Sequence, residues 1–205
     1  MGTDLAARLV FTGHIAGFGT RSGVRFVVGS WLESPFGRFA DVMVEAPDGE
    51  RTLLAPSAEV AEFVSSTYTF DRTDLGGVTV DHAADGFTVT APGLEVSATL
   101  GGPAPFDWLL RLVPAPLSRA PWWLRAINPV AARLVSGVQT AGSAGNGRRE
   151  YYGVRRTRRI TAVAGRFRGV ELGGVDALDP PVRFGFSSAP PTPQMVSVTT
   201  TIDMP

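Results

Sequence analysis

Phe39-Ala40-Asp41-Val42-Met43-Val44-Glu45, then Pro47-Asp48-Gly49, then Arg51-Thr52-Leu53-Leu54-Ala55 is the stretch that decides the fold class of this chain. The first run alternates with a period of two. Ala40, Val42 and Val44 fall on one face, and Phe39, Asp41, Met43 and Glu45 on the other. Pro-Asp-Gly between two such runs closes a hairpin. The unit is therefore a pair of antiparallel strands, one of which carries two acids on a mixed face.

Reading outward, residues 9–13 and 24–31 form further strands upstream. Downstream, Ser57 caps a helix of two to three turns in which Val60, Phe63 and Val64 share a face. Strands return at 67–70, 78–82, 87–91 and 94–100, with Asp85-Gly86 as a second hairpin turn. They resume after residue 136, at 137–140, 150–157, 159–164, 166–172, 182–186 and 195–202. Segment 103–136 differs. It holds Trp108, Trp122 and Trp123 and six prolines, and reads as two short helices at 106–113 and 129–136, the second capped by Asn128. The expected fold is mainly β, an antiparallel barrel-like or strongly bent sheet with two or three short helices. It spans 1–205 as a single β-rich domain, with 103–136 a Trp/Pro-rich helical insertion or lid.

Composition narrows the chemistry. The 205 residues contain no Cys and no Lys; all 19 cationic side chains are Arg, and the formal net charge is zero. Without Lys there is no Schiff-base chemistry, no covalent pyridoxal phosphate and no phosphate-loop lysine. Without Cys there is no thiol nucleophile, disulfide or cysteine metal site. The neutral balance gives no global reason to expect nucleic acid or an anionic membrane. Met1-Gly2-Thr3-Asp4 lacks the features of a signal peptide, and no run of eighteen apolar residues occurs, so no membrane span and a cytoplasmic location are expected.

Two glycine-rich segments fail as phosphate sites. Gly13 to Gly23 has Ser22 where a dinucleotide fingerprint needs glycine, and it leads into a strand. Gly142 to Arg149 has Arg148 and Arg149 where a phosphate loop needs Lys and Ser or Thr. His14 and His82 are too few for a metal centre, so no metal and no cofactor are expected.

The catalytic candidates are Asp41, Glu45, His14 and Tyr151. If the mixed face of 39–45 lines an interior, Asp41 is a desolvated carboxyl suited to acid–base work; if it faces water, it is merely solvated. Eight of the 19 Arg fall between Arg148 and Arg168. Arg148, Arg149 and Arg155 with Tyr151 are candidates for holding an anion, and Trp108, Trp122 and Trp123 for covering an apolar ligand. A charged strand edge and a structural plug are the plainer readings of the same residues.

Phe11-Thr12-Gly13 with Ala16-Gly17-Phe18-Gly19-Thr20, Ser34 to Asp41, and Pro181 to Ser188 resemble a conserved family of uncharacterised proteins from actinomycete-type high-GC bacteria. The resemblance carries no transferable activity. Size and strand content are also similar to cavity-bearing β folds, lipocalin-like proteins and the acetoacetate decarboxylase-like fold among them; the catalytic lysine of the latter has no counterpart here. The leading expectation is a small-molecule-binding protein whose β-barrel-like cavity takes an apolar or amphipathic anionic ligand. The alternatives are a cofactor-independent isomerase, cyclase or hydratase using the same cavity, and a protein-interaction module. A homo-oligomer is compatible with each.

Overall fold

The computed structural model describes residues 7–105, 107–134, 139–143, 147–182, 184–185 and 188–204. Its strands are β1 (Arg8–Thr20), β2 (Arg25–Glu33), β3 (Phe39–Glu45), β4 (Arg51–Ala55), β5 (Arg72–Leu75), β6 (Thr79–Ala83), β7 (Gly86–Ala91) and β8 (Leu94–Pro103), followed by β9 (Ala141–Ser143), β10 (Arg149–Phe167), β11 (Val170–Glu171), β12 (Val175–Asp176) and β13 (Gln194–Asp203). The helices are α1 (Ala58–Ser65), α2 (Asp107–Leu112) and α3 (Pro121–Leu134), with a 3-10 turn at Leu117–Arg119. The fold is thus mainly β with few helices, as the alternation and turn signals imply.

One sheet runs in the order β5-β4-β3-β2-β1-β13-β10-β8-β7-β6, with β9 and β11 on β10 and β12 on β1. Its ends do not pair, so the sheet is curled but open. All ladders are antiparallel except β4 with β5, which α1 connects as a parallel crossover. Two long strands, β1 and β10, carry the curl. Ladder shifts near Thr12, Val154, Arg158 and Ile160 mark bulges, which bend a strand and increase its twist. The bend brings β6 across β1 and β2: the His14 and His82 rings lie 4.9 Å apart, and Ser30 Oγ is 3.1 Å from His82 Nε2.

Strand alternation divides the molecule at the sheet. One face of β1–β3 packs against β7, β8 and β10 through Phe18, Phe26, Val28, Val42, Val89, Val96, Ile160 and Phe167. That core is filled with side chains. The opposite face is covered by α1, the segment after β12 and the α2–α3 region, and the functional site lies there.

Several boundaries differ from the sequence reading. Residues 67–70 are not a strand, because Tyr68 and Phe70 turn their rings into the apolar clusters around α1 and Leu178. The two strands expected at 159–164 and 166–172 belong to β10 up to Phe167. Gly165 holds a positive φ within it and approaches the β8 backbone too closely for any side chain. The helix expected from Pro129 starts instead at Pro121, with Pro129 inside it. Asn128 caps nothing there; its Oδ1 accepts from the Thr140 and Ala141 amides, tying α3 to β9. Of 137–140, residues 137 and 138 lie outside the described residues, and the strand falls at 141–143. Val182, Phe184 and Gly185 are not in a strand, and the other two residues of 182–186 lie outside the described set.

Candidate functional site

The face of the sheet opposite the filled core encloses a cavity of about 300 Å³. Odd-numbered residues of β1–β3 and even-numbered residues of β13 form its floor, among them Phe11, Ile15, Val27, Phe39, Val196 and Val198. Phe63 and Val64 of α1, Leu110 of α2, Ala131 of α3, and Val182 and Phe184 close it. Its wall is overwhelmingly apolar, and none of its described lining residues is cationic.

Asp41 stands in this wall. The mixed face of β3 is the cavity face, so Phe39, Asp41 and Met43 look into it together. The carboxyl is buried, and Trp31 Nε1 donates to its Oδ1 at 3.0 Å. Burial raises its pKa from 3.8 to about 7, against a smaller lowering by the Trp31 bond. Gly29, its partner on β2, makes the room. A Cβ there would come within 2.5 Å of Asp41 Oδ1 and 2.8 Å of Trp31 Nε1. The missing side chain is what lets indole and carboxyl meet over the strand.

A second polar group faces the same space from β10. Tyr152 Oη donates to Glu150 Oε2 at 2.7 Å, Tyr68 Oη lies 2.9 Å from the same oxygen, and the two phenol oxygens are 2.7 Å apart. Both phenols are placed to donate to Glu150. Its pKa is raised, first by burial, and both phenols are pushed well above their ordinary range by burial. Glu150 Oε1, Thr157 Oγ1 and Thr200 Oγ1 are buried without a hydrogen-bond partner among the described residues, and all three residues line the cavity. Orphan polar atoms of this kind are rare in packed interiors and mark places where a further polar group fits. The site therefore combines an apolar body, two carboxyls whose pKa values burial raises, and unfilled hydrogen-bonding capacity.

The other sequence candidates lie elsewhere. Glu45 shares a strand face with Asp41 but sits at the strand end, where Arg25 Nη2 donates to it at 2.9 Å in a buried pair; neither lines the cavity. His14 is on the opposite face of β1, and its pKa is lowered by burial and then by His82. Tyr151, one residue from Tyr152, points away from the cavity, and its hydroxyl accepts from the Arg125 guanidinium. Arg148 holds the end of α1 through Ser66 Oγ (2.5 Å) and Thr67 Oγ1 (2.9 Å), and stacks over Phe63. Arg149 and Arg155 are exposed. Trp108 and Trp122 are 66% and 64% exposed, and Trp123 packs edge-on against Trp122. None of these four Arg and Trp positions on β10 and the cover, nor Arg148, Tyr151 or Trp123, is among the lining residues. Tyr152, which adjoins the Arg cluster beside Tyr151 in sequence, lines the cavity, and sequence reasoning missed Trp31, Tyr68 and Glu150.

Among the described residues no group of three or more His, Cys, Asp or Glu could hold a metal, and no helix is long and apolar enough to cross a membrane. No protein-family model and no curated protein matches the sequence. One similar solved structure is an acetoacetate decarboxylase from Legionella pneumophila. It has 12% identity and a TM-score of 0.43, covering 100% of this chain and 88% of that one. At that TM-score the likeness carries no argument about chemistry.

Proposed function

We propose that this protein binds a small, largely apolar, uncharged molecule in the cavity and moves a proton on it, with Asp41 as the acid–base group. The observation that supports this reading is the Asp41 carboxyl itself, buried in an apolar wall with one N–H donor, no cation on the described lining, and a pKa of about 7. A group with that pKa gives up and takes back a proton near neutral pH, which is where acid–base catalysis is most effective. The unpartnered Thr157 and Thr200 hydroxyls can donate to a carbonyl or hydroxyl oxygen of the ligand, and Glu150 Oε1 can accept from a ligand hydroxyl. Isomerisation, cyclisation and hydration are reactions that such acid–base groups can carry. An uncharged ligand fits better than an anionic one, because no Arg side chain among the described residues lines the cavity.

The test has two parts. N-phenyl-1-naphthylamine, a neutral apolar fluorophore, is expected to bind the wild type, and Trp31→Ala and Phe39→Ala to weaken it about tenfold or more. Exchange of α-protons of an apolar bicyclic ketone into D2O is expected to be accelerated by the wild type and to fall by about 10²-fold or more in Asp41→Asn. Binding without any accelerated exchange would reduce the function to that of a carrier. Absence of both would refute the reading.

A further inference from the structure

The helical cover carries a second, outward-facing feature that the cavity does not use. Trp108, Leu109 and Leu112 of α2 are 66%, 39% and 69% exposed, and Trp122 at the start of α3 is 64% exposed. These are four of the eight large apolar side chains exposed in the described molecule, gathered in fifteen residues. Positions 108, 109 and 112 fall on one side of α2, while Leu110, on another, faces the cavity. Burial within the chain thus does not explain the exposed set.

Charge around them is one-sided. Arg111, Arg119, Arg125 and Arg133 are all exposed, and the only acid between residues 103 and 143 is Asp107. Asp107 is buried, bonded to the Thr157 amide at 2.8 Å and to Arg111 at 2.7 Å. With the whole chain at zero net charge, the cover is locally basic and the remainder acidic. Tryptophan and leucine interleaved with arginine on short helices is the composition of segments that lie in a bilayer interface, apolar side chains among the acyl chains and cations on the phosphates. An anionic lipid surface complements both parts of the pattern at once.

We infer that the α2–α3 cover docks reversibly on an anionic phospholipid bilayer. Trp108, Leu109, Leu112 and Trp122 enter the interface and Arg111, Arg119 and Arg133 meet the headgroups. Leu110 and Ala131 of the same helices line the cavity, so docking sets this side of it toward the membrane. That the ligand is drawn from the bilayer rests on the cavity reading above; the docking itself does not.

The experiment is sedimentation of the full chain with vesicles of phosphatidylcholine containing about one third phosphatidylglycerol, against phosphatidylcholine alone. Tryptophan emission is read alongside. The expected result is at least tenfold stronger partitioning to the anionic vesicles, a blue shift of the emission, and loss of most of the binding in 0.5 M salt. Trp108→Ser with Trp122→Ser should lower partitioning about tenfold or more while circular dichroism stays that of the wild type. Arg111→Gln with Arg119→Gln should remove the preference for anionic lipid. Asp41→Asn should leave vesicle binding unchanged, which separates this inference from the proposed chemistry. Equal partitioning to both vesicles, or an unaffected tryptophan variant, would overturn it. So would a concentration-dependent dimer that the tryptophan variant abolishes, since a second copy would then be the occupant.

Discussion

Asp41 shows how the surroundings of a single side chain change its proton affinity. Its folded pKa of about 7 lies above the 3.8 of the unfolded chain, so between those values the native state holds a proton that the unfolded state has lost. Stability is therefore highest at low pH with respect to this group, falls as pH rises from about 4 to 7, and levels off above. At about 1.4 kcal/mol per unit the difference reaches about 4 kcal/mol. Asp41→Asn should raise stability at pH 8 by about 2 to 4 kcal/mol in urea denaturation and flatten this part of the pH profile. An unchanged profile would mean the carboxyl is not the buried group described. Gly29→Ala should cost about 1 to 3 kcal/mol, because the added methyl must displace the carboxyl or the Trp31 indole. The same variant should weaken binding of the neutral fluorophore, since both displaced groups line the cavity. The alternation in 39–45 placed Asp41 on the mixed face correctly, but that this face is covered as well as the Ala40–Val42–Val44 face was settled by what packs over it: Val27, Met43, Tyr68 and Phe70 meet Leu178, Val182 and Phe184, far along the chain.

Among the elements, β10 shows where alternation alone misleads. Tyr151 and Tyr152 are equivalent in a sequence pattern, yet pairing with β13 sets Tyr152 opposite Thr200 on the cavity face and turns Tyr151 toward α3. A register of this kind depends on the partner strand and on bulges, neither of which a run of Arg and Tyr announces. Tyr68 reaches Glu150 across 82 positions of sequence, so that cluster carried no local signal at all. Helix α1 was legible, because Ser57 caps it by accepting from the Val60 amide and Val60, Ala61 and Val64 are buried. Arg148 is best read as a fastener of this helix. Arg148→Ala should lower stability by about 1 to 3 kcal/mol through the lost hydroxyl contacts, and increase amide exchange at the end of α1. Weaker fluorophore binding with no change in stability would instead place its guanidinium in ligand binding.

At the scale of the molecule, one sheet serves two purposes. Its filled side, with Phe18, Phe26 and Val42 at its centre, is the main core, and its other side is the floor of the cavity. The β-rich class with its bent sheet and few helices was readable from turn signals and composition. What was not readable was that the cavity lies across the sheet from the main core, with the Arg cluster of β10 outside it. If Asp41 is the proton-exchanging group of a cavity that takes apolar molecules, its carboxyl carbon will report both properties in an NMR pH titration with and without saturating N-phenyl-1-naphthylamine. A midpoint near 7 is expected in the free protein, moving upward when the bound fluorophore desolvates the carboxyl further. A midpoint near 4, or one indifferent to the bound fluorophore, would contradict this role of Asp41.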